Sequence, residues 1–88
     1  MWKLKINDKF KIEKVNGHSV IVDSISGKIC GAADFNEIKM FLWELSKGRE
    51  VTKTQMLDET LDRFDISTVL ALGEIDYFIK KMKEYGII

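Results

Sequence analysis

Few side chains in this 88-residue chain could carry chemistry. His18 is its single histidine and directly follows the dipeptide Asn16-Gly17. With no second histidine to share a metal or relay a proton, His18 reads as a surface or structural residue. Cys30 is the single cysteine, outside any CxxC pair and with no histidine expected beside it, so it reads as a packing residue or a quiet thiol. Asp58, Glu59, Asp62 and Asp65 form an acidic group in which Asp58 and Asp62 share a helical face. Their spacing is not that of a calcium loop, and a solvated face accounts for them. Lys80, Lys81 and Lys83 suit the carbonyl end of a helix. Gly27, Gly31 and Gly48 are too scattered for a phosphate-binding loop. These residues point to no catalytic centre, metal site or cofactor, and the expectation is a binding protein rather than an enzyme.

Composition narrows the class. An apolar fraction of 45% with 32% charged residues describes one small globular domain spanning residues 1–88. The formal net charge is zero but uneven. Residues 1–33 carry six lysines against three acids, and residues 34–88 carry eight basic residues against eleven acids. Neither imbalance is large enough to argue for nucleic acid. The lone cysteine excludes an internal disulfide. Without an apolar run of signal-peptide or membrane length, the expected location is cytoplasmic, with no membrane partner.

Periodicity then places the elements. MWKLKI alternates weakly and reads as an extended arm lying near the first strand, closed by the turn signal Asn7-Asp8. Residues 10–15 alternate more cleanly. Asn16-Gly17 is a strong two-residue hairpin signal, because both central positions of a type I′ turn need positive φ. His18 to Asp23 is a β-branched run, residues 24–27 are a second turn, and Lys28 to Ala33 form a third strand. The result is an antiparallel meander. Beyond it the period lengthens to that of helices. Helix one is expected over about residues 34–47, capped by Asp34 or Asn36, with a stripe of Ile38, Phe41, Leu42 and Leu45. Helix two opens after Thr52 and uses Met56, Leu57, Leu61 and Phe64. Helix three is capped by Ser67 or Thr68 and runs to about Tyr85, with Ala71, Leu72, Ile75, Phe78, Ile79 and Met82 inward and Gly86 at a left-handed C-cap. The fold class is α+β and winged-helix-like: a three-stranded antiparallel sheet followed by three helices.

Such a sheet has two edges, and an edge strand exposes unpaired backbone donors and acceptors. The first strand is blunted by Lys11, Glu13 and Lys14. On the third, strict alternation puts Ile29, Gly31, Ala33 and Phe35 on one face and Lys28, Cys30, Ala32 and Asp34 on the other. Small Cys30 and Ala32 on the outer face, with Gly31 between, would let another backbone approach, as strand addition by a peptide requires. Tight packing of helix three over them would explain the same small residues.

The sequence FNEIKMFLWEL resembles the LNETGAxIWELL motif of PqqD-like proteins, the domains also called RiPP precursor peptide recognition elements. Asn36, Glu37, Phe41, Trp43, Glu44 and Leu45 match that pattern. Arg63-Phe64-Asp65-Ile66-Ser67 is similar to the family's "aerFDVs", and Glu74 to Ile88 is similar to its closing "DvxxFLxxLxxxGll". The likeness runs from about Phe10 to Ile88. Two departures stand out. CGAAD precedes the Asn-Glu pair, a longer spacing than usual that would lengthen the third strand or add a bulge, and Ile38-Lys39 replace the usual Thr-Gly.

The resemblance implies a free-standing adaptor that captures the leader segment of a ribosomally made precursor peptide and presents it to a separate enzyme. That enzyme would be a radical SAM maturase, as in quinone-cofactor biosynthesis, or a leader peptidase or cyclase, as in lasso-peptide biosynthesis. The leader would pair with the backbone of Lys28, Ile29, Cys30, Gly31, Ala32 and Ala33. Helix three would supply the other wall through Leu70, Glu74, Tyr77 and Lys81, with Phe78 as the floor. Lys81 would favour an acidic leader residue, and Tyr77 and Leu70 an apolar one. Two other readings use the same elements. A winged-helix DNA-binding regulator would need a basic recognition helix, whereas helix two is acidic. A homodimer could pair through the third strand's edge.

Overall fold

The computed structural model describes residues 2–88. Its central sheet is the meander that the alternation implies: β2 (Phe10–Val15), β3 (His18–Asp23) and β4 (Ile29–Ala32), antiparallel in the order β2-β3-β4. Asn16 and Gly17 hold φ of 52° and 81°, the two positive values of the hairpin turn. The second turn is tied by Asp23, whose carboxylate accepts from the backbone N–H of Ile25 at 2.9 Å and of Ser26 at 3.2 Å. Lys9 pairs with the same carboxylate at 3.2 Å. Phe10, Ile12 and Ile21 pack into the core on the face that meets the helices.

The three helices are α1 (Glu37–Ser46), α2 (Lys53–Arg63) and α3 (Thr68–Glu84). Each start follows from a cap. The Asn36 side chain accepts from the Lys39 N–H, Ser67 accepts from the Leu70 N–H, and Thr52 and Gln55 form a reciprocal capping box. Helix α1 therefore begins at Asn36, and Asp34 lies outside it in the connection from β4. At the far end of α3, Gly86 adopts φ 73°; its N–H bonds Lys83 O and the Ile87 N–H bonds Met82 O, a complete Schellman cap. Ile87 is thereby folded into the core, while Ile88 stays exposed.

The helices bury Leu42, Leu45, Met56, Ala71, Ile75, Phe78 and Met82, as their stripes require. Three more residues are buried that the stripes do not include, one of them Ser46, whose hydroxyl donates to Leu42 O at 2.7 Å. Trp43 packs against Phe35, ring centroids 6.0 Å apart, and Thr60 is buried because its hydroxyl donates to Met56 O at 2.7 Å.

The amino-terminal arm departs from expectation. It does not lie beside β2. β1 (Lys3–Leu4) pairs with β5 (Val51–Thr52), the link between α1 and α2, as a separate two-stranded ribbon. Ile6 then closes the end of α1: its N–H donates to Ser46 O, and its carbonyl accepts from the Gly48 N–H. Burial explains the placement. Leu4, Ile6 and Val51 are all inaccessible to solvent, so the arm is a layer of the core rather than a guard for the sheet edge.

Candidate functional site

Both β2 and β4 are open edges of the sheet; β2 carries the charged Lys11, Glu13 and Lys14, and the geometry of β4 is set by one irregularity. Val20 lies opposite Ala32 and Ile21 opposite Gly31, but Val22 lies opposite Ile29. Cys30 is the extra residue of a β-bulge, the kind of insertion that the long CGAAD spacing allows. The bulge corrects the expected facing. Ile29 turns to the outer face, 51% exposed, and Cys30 turns inward against the core. The outer face at this edge is therefore Ile29 and Ala32, not Cys30 and Ala32.

Gly31 has a specific reason to be small. A Cβ there would stand 2.5–2.6 Å from Cγ, Cδ1 and Cε1 of Tyr85, the cap residue of α3. The explanation by tight packing of the last helix thus holds for Gly31. Ala32 is exposed.

The ladder identifies which backbone groups are free. Ala33 N–H donates to Ser19 O, and Asp23 N–H donates to Lys28 O. In an antiparallel pair this makes Val20–Ala32 and Val22–Ile29 the non-hydrogen-bonded pairs, so the N–H and C=O of Ala32 and Ile29 point away from β3 to the open side. Lys28 and Ala33 close the two ends of the β3 ladder, and Ala33 is buried.

Beside this edge runs a groove of about 210 Å³ between β4 and α3. Phe35 and Phe78, centroids 5.7 Å apart, form its aromatic floor together with Tyr85. Tyr77, Lys81 and Lys39 form the far wall. Both ammonium groups stand over the Tyr77 ring, Lys39 at 5.0 Å and Lys81 at 5.6 Å from its centroid. Lys81 bonds Glu84 at 3.3 Å, and that bond holds its ammonium pKa above the ordinary value. The groove can accept an extended chain along β4, seat an apolar side chain on the rings and meet a carboxylate with lysine.

Of the wall residues expected on α3, Tyr77, Phe78 and Lys81 line the groove, with Phe78 fully buried as its floor. Leu70 and Glu74 do not line it. Leu70 lies a turn and more toward the start of α3, 62% exposed. Glu74 is occupied: it accepts from Asn36 Nδ2 at 3.1 Å and pairs with Lys39, tying the start of α1 to α3. Asp34, Phe35, Lys39 and Tyr85 were not in the expected set. Tyr85 sits four residues beyond Lys81 and extends the same helical row, a signal present in the sequence. Lys39 and Phe35 reach the groove from α1 and its connection, and no periodicity within α3 points to them.

Among the described residues, no three of His, Cys, Asp and Glu converge on a point where a metal could bind, and no helix is long and apolar enough to cross a membrane. The solvent side of α2 presents Asp58, Glu59 and Asp62, a sign of charge that repels a phosphate backbone. No protein-family model, curated protein or solved structure matches the chain.

Proposed function

We propose that this protein is a peptide-binding adaptor without catalytic activity of its own. It takes the leader segment of a precursor peptide as an added strand on β4 and holds it for a separate modifying enzyme. The observation that carries the reading is that Ala32, whose backbone groups face outward from the sheet edge, also lines an aromatic-floored groove, with the outward groups of Ile29 continuing the edge beyond it. Main-chain hydrogen bonds along an edge supply affinity, and the pocket beside it selects side chains. The resemblance from Phe10 to Ile88 to PqqD-like peptide recognition elements supports the same reading and supplies the class of peptide. Lys81 favours an acidic residue, and the Phe35–Phe78–Tyr85 floor favours an apolar one beside it.

The test is a titration of fluorescently labelled leader peptides, drawn from small reading frames that neighbour the gene, followed by anisotropy. Saturable binding that is lost on scrambling the peptide is expected. Binding of scrambled and native peptides with equal affinity removes the reading.

A further inference from the structure

The free backbone groups of β4 reach past the groove. Ala32 and Tyr85 line the groove, and Ile29 does not. Helix α3 ends at Glu84, with its cap residue Tyr85 over Gly31. A strand added to β4 nevertheless continues to the outward N–H and C=O of Ile29. Beyond the groove, the side chain that the edge offers to such a strand is Ile29.

Opposed residues of paired strands share a face of the sheet. By alternation from the inward Ile21, Val20 and Val22 face away from the helices. The pairings carry this outer face across the sheet in two rows, Lys11–Val22–Ile29 and Glu13–Val20–Ala32. The two ends of the rows differ. At the β2 edge each row ends in a charge, which deters an added strand. At the β4 edge each ends in an apolar side chain, and Ile29 is half exposed. Val22 is buried on this face, outside the core formed with the helices. Ile29 has Val22 beside it on one side and no strand on the other. The bulge at Cys30 is what turns Ile29 to this face, since regular pairing would send it inward.

On the reading that β4 takes a leader strand, we propose that Ile29 is a specificity-determining residue of the docking edge. It selects one leader side chain on the outer face of the sheet, a side chain that the groove does not touch. The leader residue that pairs with Ile29 lies directly across from it and extends the row that starts at Lys11. An apolar, β-branched side chain there packs on Ile29 as Val22 does from the other side. Leader residues of the alternate parity point to the helix side of the sheet. The recognised segment is therefore apolar on both faces, with an inward residue on the Phe35–Phe78–Tyr85 floor and an outward one against Ile29.

The test uses the labelled leader peptide that gives saturable anisotropy with the wild-type chain, and versions of it carrying one aspartate at each position in turn. Ile29→Thr keeps the β-branched shape and should weaken binding of the unsubstituted peptide about two- to threefold, and Ile29→Lys about fivefold. Circular dichroism should stay near wild type for both, because the side chain is half exposed. One aspartate version, weaker than the unsubstituted peptide on the wild-type chain, should become the tighter of the two on Ile29→Lys, through a cross-strand pair of opposite charges. Lys11→Ala, in the same row at the far edge, should leave the affinity unchanged. An affinity unmoved by Ile29→Lys, while Ala32→Pro still abolishes binding, overturns the proposal and leaves docking on β4 intact. The absence of any aspartate version preferred by Ile29→Lys overturns it too, as does an equal loss on Lys11→Ala. A peptide-free chain that sediments at twice its monomer mass, and reverts to monomer on Ile29→Lys, would put a second copy on this face and also overturns it. A chain that saturates with no leader peptide removes the leader-binding reading, and the role of Ile29 falls with it.

Discussion

Gly31 offers the sharpest test of how the edge strand and the last helix are fitted together. In a strand, replacing glycine by alanine is ordinarily favourable, by about 0.5–1 kcal/mol, because the unfolded chain loses freedom. Here the new Cβ would stand 2.5 Å from two ring carbons of Tyr85 and 2.6 Å from Cγ. Cγ is anchored one bond from the Tyr85 Cβ, so the ring cannot swing clear and must move bodily. Overpacking of that kind costs about 1–3 kcal/mol. The steric cost wins, and Gly31→Ala should destabilise the protein by about 1–2 kcal/mol, lowering the melting temperature of a domain this size by about 5–10 °C. The decisive measurement is the same substitution in a Tyr85→Ala background. With the ring gone the steric cost disappears, and Gly31→Ala should become neutral or stabilising by about 0.5 kcal/mol. Thermal unfolding of the four proteins gives the coupling directly. An equal effect of Gly31→Ala in both backgrounds would refute the fit of Tyr85 over β4, and with it the shape of the groove floor.

Other outcomes follow from the same geometry. Ala32→Pro removes a donor that faces the open side and no β3–β4 bond, so anisotropy should report loss of leader binding while circular dichroism stays near wild type. Normal binding by that variant would mean that β4 is not the docking edge. Tyr77→Ala should weaken peptide binding whereas Leu70→Glu should leave it nearly unchanged, because only Tyr77 lines the groove; the reverse ranking in titrations would relocate the site. Glu74→Ala strands the largely buried Lys39 ammonium without its carboxylate and should cost about 1–3 kcal/mol in urea unfolding, while Lys39→Met with Glu74→Leu should recover much of it. For pH, the N–H groups of Ser26 and Ile25, then Lys9, hold the Asp23 carboxyl below its ordinary 3.8. Its contribution is therefore complete above that value and lost as pH falls through the lower folded value. Asp23→Asn should reduce the acid-dependent drop in melting temperature between neutral pH and about pH 3, and an unchanged drop would count against the turn's role.

Local chemistry determined the elements. Period-two alternation with Asn16-Gly17 between two runs specified a hairpin, since few residues but these accept two successive positive φ values. Caps at Asn36, Thr52 and Ser67 and the glycine after Tyr85 placed the helix ends, because the orphan N–H and C=O groups of a helix must find partners within a few residues. The resemblance, placed on the helical spacing of α3, pointed to Tyr77, Phe78 and Lys81, and these three line the groove. Tertiary structure decided what no local period encodes. The arm joined Val51 and Thr52 rather than β2, because Leu4 and Ile6 find apolar cover only there. Glu74 turned from a wall residue into a brace once α1 brought Asn36 and Lys39 to it. The facing of Ile29 and Cys30 reversed because β4 takes up one extra residue against β3, and a strand's side-chain period of two turns a single-residue shift in pairing into an exchange of faces.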